Sequence, residues 1–111
     1  FEAGSNAYGP MAALSISLPY IRQLGVGAIE AHRQPLLERL RKEMPRLGFE
    51  PVTPAGTKSA LITFSVKDRK PVLDKLKRAN INVRLGRNFL RVSPSVYNDI
   101  KDIDRLLEAL A

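Results

Sequence analysis

The stretch "INVRLGRNFLRVSPSVYNDIKDIDRLLEALA" (residues 81–111) decides the fold, because it joins two strand patterns to a helix. Within it, "INVRL" and "FLRVS" flank a turn through residues 86–88, where glycine and asparagine readily supply positive φ. Asn98 is placed to cap the helix that follows, with Asp99 and Asp102 near its positive end. Apolar residues recur there at helical spacing: Ile100, Ile103, Leu106, Leu107 and Leu110. This stretch predicts a β-hairpin packed against an amphipathic helix.

Upstream of the hairpin, the sequence contains two more strand patterns and a helix pattern. "FEPVT" (49–53) and "SALITFSV" (59–66) are predicted strands. "KDRKPVLDKLKRAN" (67–80) predicts a helix capped by Asp68 and ended by Asn80, which tolerates the left-handed conformation. One face of the second strand is predicted to carry Ala60, Ile62, Phe64 and Val66.

The first half of the chain reads as two helices. Residues 9–24 carry apolar side chains every three or four positions and end at Gly25, with Pro19 predicting a kink or a later start. Residues 28–48 repeat this pattern and are expected to bend at Pro35. The predicted inward residues are Met11, Leu14, Leu18, Ile21 and Leu24, then Ile29, Leu36, Leu40, Met44 and Leu47.

This order of elements predicts an α+β fold, a two-layer domain with a small, mostly antiparallel sheet packed against helices. The 111 residues suffice for one modest core. Apolar runs are too short to span a membrane, and the first thirty residues lack the basic start and long apolar centre of a signal peptide. Without cysteine there is no disulfide, no thiolate nucleophile and no Cys-ligated metal, so a cytoplasmic setting is expected.

The net charge of +7, from 18 basic and 11 acidic residues, raises the possibility of a polyanionic partner. The basic residues of the second helix alternate with acids and are predicted to be a solvated face. Aromatic residues on strands are limited to Phe64 and Phe89, which makes a poor stacking platform for single-stranded nucleic acid. A free-standing nucleic-acid-binding module and an amino-acid-sensing module remain alternatives, and nucleic acid is the less favoured partner.

Arg91 is the candidate binding residue on the strand "FLRVS". Because side chains alternate along a strand, Leu90 and Val92 share one face and Arg91 projects from the other. Its planar fork suits a bidentate grip on a carboxylate. The alternative is a surface arginine in a cross-strand salt bridge.

Both ends of the chain resemble one enzyme family. "FEAGS" (1–5) and "LRVSPSVYNDIKDIDRLLEAL" (90–110) look like the two signature ends of the small C-terminal domain in class V aminotransferases. These are pyridoxal-phosphate enzymes of fold type I. The resemblance covers nearly the whole chain, and the closing motif is the more specific one.

The resemblance implies roles for particular residues. Arg91 matches the arginine that grips the α-carboxylate of the amino-acid substrate, and Ser5 matches the residue that contacts the cofactor phosphate of the neighbouring subunit in a homodimer. Ser5 or Asn6 capping the first helix is the alternative. The family more often has Pro and Asn where this chain has Asn6 and Ala7. Arg84 and Arg87, beside and in the hairpin turn, are weaker candidates for binding, and a role as solvated charges is favoured for both.

Two parts of a pyridoxal-phosphate site have no match in this sequence: the lysine that holds the cofactor's aldehyde and the acid that pairs with its pyridinium nitrogen. In the family both lie in a large domain that precedes this one. Residues 1–111 are therefore expected to be a single C-terminal small domain, inactive alone and without its own cofactor. The family's cysteine desulfurases carry an essential Cys after the "VR" strand, and this chain has none, so persulfide chemistry on it is excluded.

Two other residues draw attention. His32 has no second His or Cys to complete a metal site, so a structural role is expected and no metal is predicted. Tyr97 is expected to hydrogen-bond locally or to line the site beside Arg91, with a packing role at least as favoured.

Overall fold

A computed structural model describes residue 4 and residues 7–111. The elements in chain order are α1 (Tyr8–Leu24), α2 (Val26–Glu43), a 3₁₀ turn (Pro45–Leu47), β1 (Ile62–Ser65), α3 (Arg69–Arg78), β2 (Arg84–Leu85), β3 (Phe89–Val92) and α4 (Ile100–Leu110). Four helices and a small antiparallel sheet confirm the predicted α+β fold.

The three strands lie in the order β1-β3-β2, with both pairings antiparallel. The hairpin strand β3 is therefore central, and β1 pairs with it in a register that places Ile62 opposite Val92 and Phe64 opposite Leu90. All four of these side chains are buried. The alternate positions of these strands lie on the other face, away from the core.

Helices α2, α3 and α4 cover the buried face of the sheet. Each of these helices buries one stripe, as the spacing of its apolar residues predicts. In α4 the stripe is Ile103, Leu106, Leu107 and Leu110, whereas the predicted member Ile100 is 43% exposed. Five core side chains are essentially inaccessible to solvent: Leu40, Met44, Ile62, Phe64 and Leu90.

Helix α1 contradicts the expectation of a buried stripe. It runs unbroken through Pro19 from Tyr8, so the later start is wrong, and it contains no buried residue. Side chains on every side of it are exposed, including Met11, Leu14, Ile16, Leu18, Tyr20 and Leu24. The pattern of α1 identifies an apolar helix, but the described part of the chain supplies nothing to cover it. No helix in that part is long and apolar enough to cross a membrane.

The predicted strand at 49–53 is wrong. It forms a single bridge, between Pro51 and Phe64, and the Thr63 N–H donates to the side-chain Oγ1 of Thr53 at 2.9 Å where a ladder would use a backbone carbonyl. The chain still lies along β1: Val52 N–H donates to the Thr63 carbonyl at 2.8 Å, and Ser65 N–H donates to the Glu50 carbonyl at 2.8 Å. Ala60, predicted to share the buried face of β1, is exposed and precedes the strand.

The hairpin turn is confirmed, but not the reason for its glycine. Gly86 and Asn88 are absent from the described residues that have positive φ. Gly86 is required for space instead, because a Cβ atom there would lie 2.6 Å from Cδ1 of the Phe89 ring. The missing side chain lets the ring of Phe89 fold over the turn.

Gly86→Ala is expected to destabilise the domain by about 1–3 kcal/mol, the usual cost of overpacking, since the Phe89 ring must move. The matched control is Gly27→Ala in α2, where an added Cβ meets nothing within 4 Å. Replacing a helical glycine by alanine stabilises by about 0.4–1 kcal/mol. Urea unfolding of both variants checks the prediction, and an equal response of the two would contradict it.

Helix α4 is capped one residue later than predicted. The N-cap is Asp99, whose Oδ1 accepts from the backbone N–H groups of Lys101 (2.8 Å) and Asp102 (3.1 Å). In turn, a carboxylate oxygen of Asp102 accepts a hydrogen bond from the Asp99 N–H at 3.2 Å, which completes a capping box. Asn98 instead donates from its side chain to Asp102 at 3.1 Å. In α3 the prediction holds: Asp68 accepts from Lys70 N–H, and Asn80 ends the helix with φ of 52°.

This capping box is expected to make the stability of the domain depend on pH. The hydrogen bond from Asn98, followed by that from Asp99 N–H, lowers the pKa of Asp102 below its usual 3.8. A carboxyl whose pKa is depressed in the folded state stabilises that state above its unfolded pKa, and the contribution is lost as pH falls through the folded pKa. Asp102→Asn should therefore flatten the fall in urea midpoint below about pH 4. An unchanged acid limb in the variant would contradict this assignment.

Candidate functional site

A cleft of about 540 Å³ opens between the β2–β3 hairpin, the loop after β3 and helix α4. Its walls carry three arginines, Arg84, Arg91 and Arg105, and a single carboxylate, Asp102. We call it the arginine cleft. No lysine lines it.

Arg91 lies where its position in the strand predicts, exposed on the face of β3 opposite the core. Its register partners are Thr63 on β1 and Arg84 on β2. Neither partner is acidic, and within residues 7–111 the salt bridges involve Arg39 and Arg46 rather than Arg91. The alternative of a cross-strand salt bridge for Arg91 therefore has no support in the described part of the chain.

The electrostatics of the arginine cleft favour an anion. Arg105 already has a partner, because its Nη2 donates a hydrogen bond to the Ala79 carbonyl at 2.6 Å. Asp102, whose pKa is lowered by its hydrogen bonds, is ionised at neutral pH but already serves the α4 capping box. Three guanidinium groups against one committed carboxylate leave the cleft with a positive excess.

The cleft fits an anionic group but not the whole of pyridoxal phosphate. Arginine forks suit a carboxylate or a phosphate. An aldehyde needs a lysine amine, and none of the residues lining the cleft provides one. Lys75, the lysine of α3 that is partly buried, donates instead to the carbonyls of Leu110 (3.0 Å) and Ala111 (2.8 Å). This chain's own cleft therefore offers groups that bind an anion but no amine for the cofactor's aldehyde.

The other residues that the sequence suggested for a site lie outside the arginine cleft or outside the described residues. Ser5 and Asn6, the predicted phosphate contact and its capping neighbour, lie outside the described residues. Arg87 is exposed in the hairpin turn and does not line the arginine cleft. Tyr97 is 91% exposed, so the local packing role is wrong.

His32 has a structural contact, as expected. Its Nε2 atom lies 2.8 Å from the Asn98 carbonyl oxygen, which links α2 to the turn that precedes α4. Among the residues that the structure describes, no cluster of three or more His, Cys, Asp or Glu side chains is placed to hold a metal ion.

The sequence alone does not single out Arg105, because a basic residue on an amphipathic helix is ordinarily a solvated charge. Arg84, the weaker candidate, joins Arg91 in the arginine cleft. The structure closes the hairpin with Gly86 paired to Phe89, and this register places Arg84 opposite Arg91.

Comparison with known proteins decides the family. The family model for class V aminotransferases matches residues 1–106. The chain belongs to the class V aminotransferase family. Two of its relatives are named probable cysteine desulfurases: one from Staphylococcus epidermidis, 31% identical over 127 residues, and one from Xylella fastidiosa, 26% identical over 129 residues.

This class V chain spans about a third of the length of these curated relatives, 31% and 30% of them, while 99% of its own length is matched. A solved cysteine desulfurase from Thermococcus onnurineus, in its apo form, has the same fold, with a TM-score of 0.84 over 99% of this chain and 32% of that one. At 24% identity this likeness concerns the fold alone.

Proposed function

We propose that this chain is the C-terminal domain of a pyridoxal-phosphate-dependent enzyme that acts on an amino acid, in which Arg91 binds the substrate's α-carboxylate. The observation that carries the proposal is Arg91 itself, an exposed arginine without an acidic register partner in a positive cleft of a class V fold. Family membership supports the use of pyridoxal phosphate by the intact enzyme.

The position of Arg91 suits a binding and orienting role. Strand β3 is hydrogen-bonded on both sides, so the backbone beneath the arginine is held firmly. A bidentate guanidinium–carboxylate pair fixes the plane of the carboxylate as well as its place, and with it the direction of the bonds at Cα. Bound pyridoxal phosphate supplies the electron sink that labilises one of those bonds.

The remaining parts of the proposed enzyme lie beyond this chain's cleft. A large domain of the same polypeptide would supply the lysine and the acid that the cofactor requires. Ser5 would contact the cofactor phosphate of the other subunit of a homodimer, since a hydroxyl beside exposed turn amides is a suitable phosphate donor. A cytoplasmic location belongs to the same proposal.

We also propose that the enzyme does not transfer sulfur through a cysteine of this domain. The alignment with the S. epidermidis relative extends over 127 positions, so at least 16 of them have no counterpart among the 111 residues here. The chain contains no Cys, and no other side chain forms a persulfide. An aminotransferase-like or epimerase-like outcome at Cα is favoured.

Incubation of the intact enzyme with L-cysteine is accordingly expected to leave the peptides of this domain without added sulfur. Mass spectrometry of the digested protein checks this, with a cysteine desulfurase such as the S. epidermidis relative as the matched control. Turnover of L-cysteine to sulfide and alanine at the control's rate would contradict the proposed reaction class.

The test of the proposed function is to sequence the coding DNA immediately upstream of the Phe1 codon, then express the whole reading frame. The expected result is a large α/β domain with a lysine that retains pyridoxal phosphate through gel filtration. A start codon directly before Phe1, or a long reading frame whose product binds no cofactor, would overturn the proposal. Binding of free amino acids or oligonucleotides would then be the next measurements.

A further inference from the structure

Arg84 and Arg91 form a like-charged pair across two neighbouring strands, an unfavourable arrangement in a sheet. They are direct register partners across β2 and β3, and both side chains are exposed. Gly86 N–H donates to the Phe89 carbonyl at 2.8 Å, so hydrogen-bonded pairs alternate from there and include Arg84–Arg91, with Cα atoms about 5.5 Å apart. Like charges directly opposite each other destabilise a sheet.

Some of the other arginines of the domain have acceptors within residues 7–111. Arg39 pairs with Asp104 at 3.1 Å, and Arg46 pairs with Glu43 at 2.9 Å. Arg105, the third arginine of the cleft, is held by a carbonyl oxygen. The described residues supply no acceptor within hydrogen-bond distance of Arg84 or Arg91. Several described arginines lack an acceptor, and of these Arg84 and Arg91 are the two that line the arginine cleft.

A single carboxylate does not satisfy both Arg84 and Arg91. One carboxylate is matched by one guanidinium fork through two parallel hydrogen bonds. If Arg91 takes the α-carboxylate, Arg84 keeps an unneutralised charge a few ångströms away, on the same cleft wall. A second anionic group on the same ligand neutralises it and removes the repulsion between the two arginines.

We infer that Arg84 is a specificity-determining residue that binds a second anionic group of the substrate, so that the substrate class is amino acids with an acidic side chain. This inference rests on the proposed function of Arg91. Asn80, Asn82 and Ser93, which also line the cleft, add neutral hydrogen-bonding groups, and the one carboxylate of the lining, Asp102, is engaged in the α4 capping box.

The experiment follows the arginine Nε–Hε signals of the ¹⁵N-labelled 111-residue chain at low salt, with propionate and succinate as probes. These acids have one and two carboxylates. Succinate is expected to shift the Arg84 and Arg91 signals along a single binding curve and to bind about threefold more tightly than propionate, as a second exposed ion pair allows. Arg84→Gln should weaken succinate binding more than propionate binding, so that the preference is lost, and Arg84→Lys should restore part of it.

Arg87→Gln is the matched control, because it removes the same charge from the same hairpin outside the cleft. It should keep most of the preference for succinate. An equal loss in Arg84→Gln and Arg87→Gln, or a loss of both probes by the same factor in Arg84→Gln, would overturn the inference, as would no binding of succinate by the unaltered chain. Propionate binding that survives Arg91→Gln would instead contradict the proposed function. Amide spectra of all variants confirm that the fold is retained.

Discussion

Arg91→Gln in the intact enzyme is expected to lower kcat/KM for its amino-acid substrate by about 100- to 1,000-fold. Glutamine keeps much of the length of the side chain but loses the charge and one arm of the fork, which removes a bidentate ionic contact. Because the α-carboxylate is bound before and during the reaction, most of the loss should lie in KM. Steady-state kinetics with the cofactor saturating measures it.

Two further variants distinguish carboxylate binding by Arg91 from a general effect of the domain's positive charge. Arg91→Lys keeps the charge without the planar fork, so an intermediate loss is expected. Arg87→Gln removes a charge from the exposed hairpin turn, outside the arginine cleft, and should change kcat/KM less than about fivefold. Equal losses in Arg91→Gln and Arg87→Gln would show that the domain acts on substrate only through its net charge.

Phe64→Ala is expected to lower the free energy of unfolding by about 3–5 kcal/mol, the range for deleting a buried aromatic ring. Phe64 is fully buried in the middle of β1, opposite Leu90 on β3, and its ring belongs to the cluster that α2, α3 and α4 share with the sheet. Losing it leaves a cavity at the junction of the two layers. Such a loss is a large fraction of the total stability of a small domain.

Urea unfolding followed by circular dichroism measures this difference. The control is Tyr97→Ala, which deletes an aromatic ring that is 91% exposed and should change stability by less than about 0.5 kcal/mol. Similar losses in the two variants would mean that the core does not lie between the sheet and the three helices.

Elements with a one-sided apolar pattern were predictable from the sequence. In α4 four of the five leucine and isoleucine positions that recur at helical spacing are buried, and in β3 the alternation of Leu90, Arg91 and Val92 assigns each side chain to the correct face. In both cases the local period and the tertiary packing favour the same structure. Arg91 could be singled out for the same reason.

Other features depend on information that a local pattern lacks. Periodicity shows that α1 is apolar, but it does not show whether anything covers the helix. Propensity makes 49–53 a strand, whereas the Thr53 side chain accepts the Thr63 N–H and the pairing stops at a single bridge. The Arg84–Arg91 pair follows from register, which the turn sets, rather than from any property of Arg84 alone.

The central claim is that Arg91 receives the α-carboxylate of an amino-acid substrate. A crystal structure of the intact enzyme with a slowly reacting amino acid bound tests it most directly. We expect both carboxylate oxygens to lie about 2.7–2.9 Å from the guanidinium nitrogens of Arg91. A bound substrate whose carboxylate is held by another residue, with Arg91 left in solvent, would contradict the account.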